Sequence, residues 1–235
     1  MAKKKRLKKI GSRKEVERPV RYREYEYLFL IVCEDEKTEP TYFDLFKSQL
    51  PENIVYLSTV GTGRDPKGVV EQAILERDKL KASSKREVDY VWVVFDKDDA
   101  DKNAATINRF NDAFKIAESN EFYIAYSNEA FELWLLLHLK SVENVSLPRE
   151  EIYKQLQLHI SKNPKYSGFV YEHGKPSILE AISKIGSQKR AIKRAAALYE
   201  AQQGIAPINA NPSTTVFILV NELLNLIKIF SKTIK

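Results

Sequence analysis

Three carboxylates follow a strongly apolar stretch within four residues: Asp96, Asp98 and Asp99. The preceding residues, 88–95, are mostly β-branched or aromatic, which is typical of a strand buried on both faces of a parallel sheet. Acidic groups at the carboxyl end of such a strand lie where open α/β sheets bind ligands. A metal site is therefore the first hypothesis, and the alternative is that Asp98 or Asp99 only caps the next helix.

A second apolar run, residues 27–33, also ends in acidic side chains, among them Glu34 and Glu39. In a parallel sheet of strand order 2-1-3-4, the first and third strands are neighbours and their carboxyl ends meet at the switch point. Glu34 and Glu39 would then face Asp96 and Asp98, which project to one side if the strand continues through both. Such like charges repel one another unless a cation binds, and oxygen ligands without histidine or cysteine favour Mg²⁺ or Mn²⁺.

A site of this kind commonly acts on phosphate esters, because bound metals activate water and stabilise the leaving oxygen. In this interpretation Asp96 and Asp98 are ligands, and Glu34 is a ligand or the general acid/base. Glu39 is a further ligand, directly or through water. The charge on the transferring phosphate would be neutralised by one of three nearby basic residues, among which the sequence does not choose: Lys37, Lys97 and Arg64.

The elements that must position these side chains alternate between strand and helix. Strands are predicted at residues 27–33, 54–57, 88–95 and 122–126, and helices near 40–50, from Pro66 with Asp65 as its cap, at 100–119 and at 129–140. This βα order predicts an α/β fold with a parallel, four-stranded Rossmann-like sheet flanked by helices. The Gly61–Pro66 turn is either an ordinary βα turn or a phosphate contact through Arg64.

The remainder of the chain is predicted to be a helical extension packed on this domain. Helices are expected at residues 148–160, 177–202 with a break near Gly186, and 212–230 with Asn211 as cap. The expected organisation is a basic arm at 1–24, a domain at 25–141 and the helical region at 142–235. Glu132 lies in an apolar helix, where it either points to solvent or joins the acidic site.

Charge is distributed unevenly along the chain, whose net charge is +6. Residues 1–24 carry eleven Lys or Arg against three Glu, so this arm either binds nucleic-acid phosphates or is a solubilising tail. The single cysteine, Cys33, excludes an intramolecular disulfide and a cysteine-based zinc cluster. Since there is neither an apolar segment behind Met1 nor a run long enough to cross a bilayer, we expect a cytoplasmic protein without membrane contact.

The acidic motifs resemble the TOPRIM domain of topoisomerases, primases and OLD-type nucleases, in which a glutamate ends one strand and Asp-x-Asp a later one. More specifically, the chain is similar to the RloB family in the motifs LIVCEDEKTEPTYF at 30–43, FDKD at 95–98, SN at 127–128, FELWLLLH at 131–138 and NPSTTV at 211–216. One departure is Asp35, where TOPRIM chains usually have glycine. The spacing also makes Glu36 an alternative to Glu39 as the second carboxylate of the site.

This resemblance implies a bacterial anti-phage defence protein of the abortive-infection type, with a AAA or SMC-like ATPase partner. It implies a Mg²⁺- or Mn²⁺-dependent nuclease acting on RNA such as tRNA, or on DNA, and a homo-oligomer is compatible with it. The alternative is a non-catalytic nucleic-acid-binding or ATPase-regulating subunit whose carboxylates hold a structural metal. A third hypothesis for the function is another form of phosphoryl transfer.

Overall fold

The computed structural model describes residues 22, 25–51, 53–175 and 177–231. Apart from Tyr22, the predicted basic arm lies outside these residues. The strands are β1 Tyr27–Cys33, β2 Val55–Gly61, β3 Tyr90–Asp96, β4 Tyr123–Asn128 and β5 Ser213–Thr214. The helices are α1 Thr38–Asp44, α2 Pro66–Ser84, α3 Ala104–Ser119, α4 Glu132–Leu139, α5 Arg149–Ser161, α6 Ser177–Ile185, α7 Gln188–Ala201 and α8 Val216–Ser231.

The sheet has five strands in the order β2-β1-β3-β4-β5. The first four are parallel, so the predicted 2-1-3-4 order is confirmed. The prediction of a four-stranded, wholly parallel sheet was wrong, because β5 pairs antiparallel with the end of β4. Asn211-Pro212 was expected to start the last helix. Instead, Ser213 and Thr214 pair with β4, and α8 begins only at Val216.

The two faces of the sheet bury different side chains of the same strands. In β1, Leu28, Leu30 and Val32 point to one apolar cluster, which α2 and α3 complete. The alternate residues Phe29, Ile31 and Cys33 point to the other, which contains α1, α4 and the C-terminal helices. This period of two on a strand without polar positions is what covering both faces of a parallel sheet requires.

The C-terminal helices share a continuous core with the predicted α/β domain. Leu156 of α5 and Leu219 of α8 belong to the same cluster as Phe29 and the fully buried Trp134. The break predicted near Gly186 is confirmed, since α6 ends at Ile185 and α7 begins at Gln188. A Cβ at Gly186 would lie 2.6 Å from the carbonyl oxygen of Ile182, one turn earlier in α6, and 2.9 Å from Cβ of His138 on α4, so this tight turn beside α4 requires glycine.

Helix α3 starts four residues later than the predicted Ala100, because Asn103 caps it. The Asn103 side chain accepts hydrogen bonds from the amides of Ala105 and Thr106. The Asn103 amide in turn donates one to the Thr106 hydroxyl, which completes a capping box. We expect Asn103→Ala to lower the free energy of unfolding by about 1 kcal/mol in urea titrations. Asn108→Ala, an exposed position inside α3, is the control and should be neutral or slightly stabilising.

Candidate metal centre

A pocket of about 330 Å³ opens at the carboxyl ends of the adjacent strands β1 and β3. It brings together four of the predicted site residues, which are Glu34, Glu39, Asp96 and Asp98. The other lining residues are Asp35, Arg149, Tyr153 and His173. The sheet topology therefore places acids from two separate loops around one space, as the sequence predicts.

Glu34 and Asp96 are in direct contact through the backbone. The Asp96 amide donates a hydrogen bond of 2.8 Å to Glu34 Oε2, and the Phe131 amide at the start of α4 donates one of 2.8 Å to Asp96 Oδ2. The second oxygen, Asp96 Oδ1, is buried and has no hydrogen-bond partner among the described residues. In the part of the chain that the structure describes, neither Glu34 nor Asp96 forms an ion pair with lysine or arginine.

Burial and mutual repulsion change the protonation of these acids. Burial, together with the nearby charge of Asp98, raises the pKa of Glu34 to about 8, although the hydrogen bond from the Asp96 amide works against this. Burial also raises the pKa of Glu39 and that of Asp96 well above their usual range. The charge of Glu34 raises the pKa of Glu39 further, and the charge of Glu39 raises that of Asp96. A cation in the pocket would favour the ionised forms and so reverse these shifts.

The orientation of the Asp98 carboxylate differs from the one that its spacing from Asp96 predicts. Strand β3 ends at Asp96, and Asp98 lies in a turn with φ of 43°, so the strand alternation that would align the two carboxylates no longer applies. The Asp98 carboxylate accepts a hydrogen bond of 2.6 Å from Arg149 Nη1, and Asp99 accepts one of 3.3 Å from Nη2. Burial raises the pKa of Asp98, and the Arg149 guanidinium opposes that rise.

Asp35 and Glu36 both lie in the loop between β1 and α1, but only Asp35 lines the pocket. Asp35 Oδ2 accepts a hydrogen bond of 2.6 Å from the Thr38 amide, and the Asp35 amide donates one of 3.1 Å to Glu39 Oε2. Burial tends to raise the pKa of Asp35, but the hydrogen bonds from Thr38 outweigh it and the pKa is lowered. Its φ is not positive, so glycine is not required here. Glu36 is exposed and lies outside the pocket, against Gly63.

Glu132 is buried rather than pointing to solvent, with 3% of its surface exposed. It accepts a hydrogen bond of 2.6 Å from the Tyr171 hydroxyl, and its Oε1 lies 3.6 Å from His173 Nδ1. The contact with Glu132 raises the pKa of His173. Glu132 thus lies behind the pocket and supports two side chains of the segment before α6, and its charge also raises the pKa of Asp96.

The three basic residues predicted to contact phosphate do not line this pocket. Lys37 and Arg64 are exposed on the neighbouring loops. Lys97 is buried, and its ammonium lies 2.7 Å from Asp101 and 3.1 Å from Glu129. It borders a second cavity that also touches Glu34 and Asp98, but its charge is already matched by two carboxylates.

The carboxylate oxygens of the pocket are suitable ligands for a hard divalent cation, but the described side chains do not form a complete coordination shell. No group of three or more His, Cys, Asp or Glu within the described ranges is placed so that it could hold a metal ion directly. The reason is visible in the contacts: Asp98 is held by Arg149, and Glu39 faces the Asp35 amide. The unpartnered Asp96 Oδ1 is available as a ligand atom, and burial together with neighbouring carboxylates raises the pKa of Glu34, of Glu39 and of Asp96.

Sequence reasoning missed the side chains that the C-terminal region adds to the pocket. Arg149 and Tyr153 lie one turn apart on α5, and His173 follows in the segment between α5 and α6. Tyr166, Phe169 and Tyr171 of this segment pack against the hydrophobic core. The only available signal was the spacing of Arg149 and Tyr153, which puts them on one helical face but does not say what this face meets.

Together these features define an α/β protein with a mostly parallel five-stranded sheet and an acidic pocket at its switch point. The family model of the RloB-like protein matches residues 29–223, well over half of the chain, and the chain therefore belongs to the RloB-like family. No curated protein and no solved structure matches it. None of the described helices is both long and apolar enough to cross a bilayer.

Proposed function

We propose that this protein is a nuclease that hydrolyses phosphodiester bonds of nucleic acid with the help of Mg²⁺ or Mn²⁺. The observation that carries the proposal is the contact between Glu34 and Asp96, at the carboxyl ends of neighbouring strands, in a pocket lined by five carboxylates and a single arginine among the described residues. Keeping like charges together costs stability, so the arrangement is best explained by a cation that binds there.

The residues of the chain divide into ligands and supports. Asp96 Oδ1 and Glu34 would hold the cation, Asp98 and Glu39 would complete its coordination, and the cation would activate water and neutralise the leaving oxygen. The Asp96 amide fixes the orientation of Glu34. If Glu34 does not remain a ligand, a bound cation would lower its pKa, and the ionised carboxylate would then be able to take a proton from water.

The biological setting is proposed from the family resemblance. A defence effector of this kind would act together with a AAA or SMC-like ATPase that restrains or activates it. A second candidate function is a non-catalytic nucleic-acid-binding or regulatory subunit of such a complex. It is favoured by the ion pair between Arg149 and Asp98, which occupies one of the proposed ligands.

Incubation of the purified chain with labelled tRNA, other RNA and DNA separates these functions. A nuclease should yield fragments with Mg²⁺ or Mn²⁺ and none with a chelator. A regulatory subunit should bind nucleic acid or the ATPase and leave every substrate intact under all metal conditions.

The basic segment gives a separate prediction, which rests on sequence alone. Deletion of residues 2–14 removes eight Lys or Arg. If these contact phosphates, nucleic-acid affinity should fall and the slope of log K against log salt should flatten, by about 0.7 to 0.9 for each lost contact. Fluorescence anisotropy at several salt concentrations measures both. An unchanged slope would show that the segment is only a solubilising tail.

A further inference from the structure

Among the described residues that line the acidic pocket, Arg149 is the only lysine or arginine. Its guanidinium donates to Asp98 and to Asp99, which uses two of its five N–H groups. The side chain is 25% exposed, so its remaining donors are open to a ligand that enters the pocket. A planar guanidinium with free donors matches the geometry of a phosphate group.

The place that Arg149 occupies conflicts with the proposed cation site. A guanidinium cannot be a metal ligand, and while it holds Asp98 it withholds that carboxylate from a cation. The Asp98 side chain is 45% exposed, and partly solvated ion pairs contribute little to stability, so a divalent cation can compete with Arg149 for this carboxylate. The Arg149 guanidinium is thus a positive charge that a divalent cation can replace beside Asp98.

The side chains around Arg149 indicate where it would go. Tyr153, one turn further along α5, also lines the pocket, and its ring stacks on Tyr171 with centroids 4.6 Å apart. The other basic group of the pocket, His173, is paired with Glu132. Of the described basic side chains that line the pocket, Arg149 on the first turn of α5 is therefore the one with N–H groups left for a phosphate beside the carboxylates.

We propose that Arg149 binds the scissile phosphate and that it does so by exchanging partners. With a divalent cation bound, Asp98 would be one of its ligands, and the guanidinium released from Asp98 would contact the phosphate that enters with the substrate. Without a cation, Arg149 stays paired with Asp98 and does not turn its guanidinium to the phosphate. This inference rests on the proposed nuclease function and adds its substrate-binding residue.

The exchange makes two measurements move in opposite directions in Arg149→Ala. Calorimetric titration with Mn²⁺ alone should give an affinity about fivefold higher than that of the wild type, because a competitor of roughly surface-pair strength is removed. Cleavage of labelled nucleic acid at saturating Mn²⁺ should fall about 10²-fold, and its binding should weaken. Arg149→Lys keeps the charge without the paired donors, so its Mn²⁺ affinity should stay near that of the wild type while cleavage remains low.

Arg77→Ala is the matched control, since Arg77 is 26% exposed and pairs with Asp78 away from the pocket, and it should leave both measurements unchanged. Wild-type cleavage by Arg149→Ala would overturn the inference. So would a loss of Mn²⁺ affinity in both Arg149 variants, because Arg149 would then only support the site. If the wild type neither binds Mn²⁺ nor cleaves nucleic acid, the nuclease proposal itself fails, which is a distinct result. If it binds Mn²⁺ but cleaves none of the substrates tested, nucleic-acid binding decides, and binding by Arg149→Ala equal to the wild type overturns the inference.

Discussion

Glu34→Gln and Asp96→Asn should each reduce metal-dependent cleavage of nucleic acid by at least about 10³-fold while the protein stays folded. Both substitutions keep the size and the hydrogen-bond acceptor of the side chain but remove the negative charge. Glu34 would keep its contact with the Asp96 amide, and Asp96 its contact with the Phe131 amide. The loss should therefore come from the cation and its chemistry, which circular dichroism and cleavage rates can separate.

A surface glutamate provides the control for this experiment. Glu118 is exposed on α3, and Glu118→Gln should cleave at the wild-type rate. Asp98→Asn should have a smaller effect than the other two substitutions, because Asp98 is shared with Arg149. Cleavage that persists in both Glu34→Gln and Asp96→Asn would place the activity at another site or in a contaminant.

In the absence of divalent cations, the free energy of unfolding should fall as pH rises from about 5 to 8. The pKa of Glu34 is about 8 in the folded chain against its ordinary 4.5, so between these values the folded state keeps a proton that the unfolded state releases. Folding is then favoured fully below the lower pKa, and this contribution is lost as pH passes through the higher one. The decrease should be on the order of 3 kcal/mol, and Glu39 and Asp96 act in the same direction.

Urea unfolding at pH 5.5 and at pH 8 in the presence of a chelator measures this effect. Glu34→Gln should reduce the pH dependence, with the remainder due to Glu39 and Asp96, whereas Glu118→Gln should not change it. Added Mn²⁺ should restore stability chiefly at pH 8, where the ligands ionise, because it binds the folded state preferentially. A stability that rises over this pH range without metal would contradict the electrostatic description of the pocket.

The sheet could be predicted because its signals are local and strong. The apolar runs of β1 and β3 and the alternation with helices define a parallel sheet, and the switch point then brings Glu34 next to Asp96. Strand β5 was not predictable in this way, since two residues cannot show a period and their partner is far away in sequence. The Pro212 signal was real but marked the approach to a strand rather than a helix start.

The candidate site was predictable on its acidic side and not on its basic side. Glu34 and Asp96 follow their strands directly, so topology alone fixes their neighbourhood. Arg149 reaches the pocket only because α5 packs against α4, a tertiary contact that has no trace in local sequence. The same holds for Glu132, whose burial is tolerated because Tyr171, 39 positions away, satisfies it.

Binding of Mn²⁺ to the purified chain at pH 8, followed by the electron paramagnetic resonance of the free ion, tests the central claim most directly. The wild type should show saturable binding, and Glu34→Gln and Asp96→Asn should each weaken it by at least about tenfold. Equal binding by all three proteins, or none by the wild type, would contradict the claim that the two loops hold a cation between them.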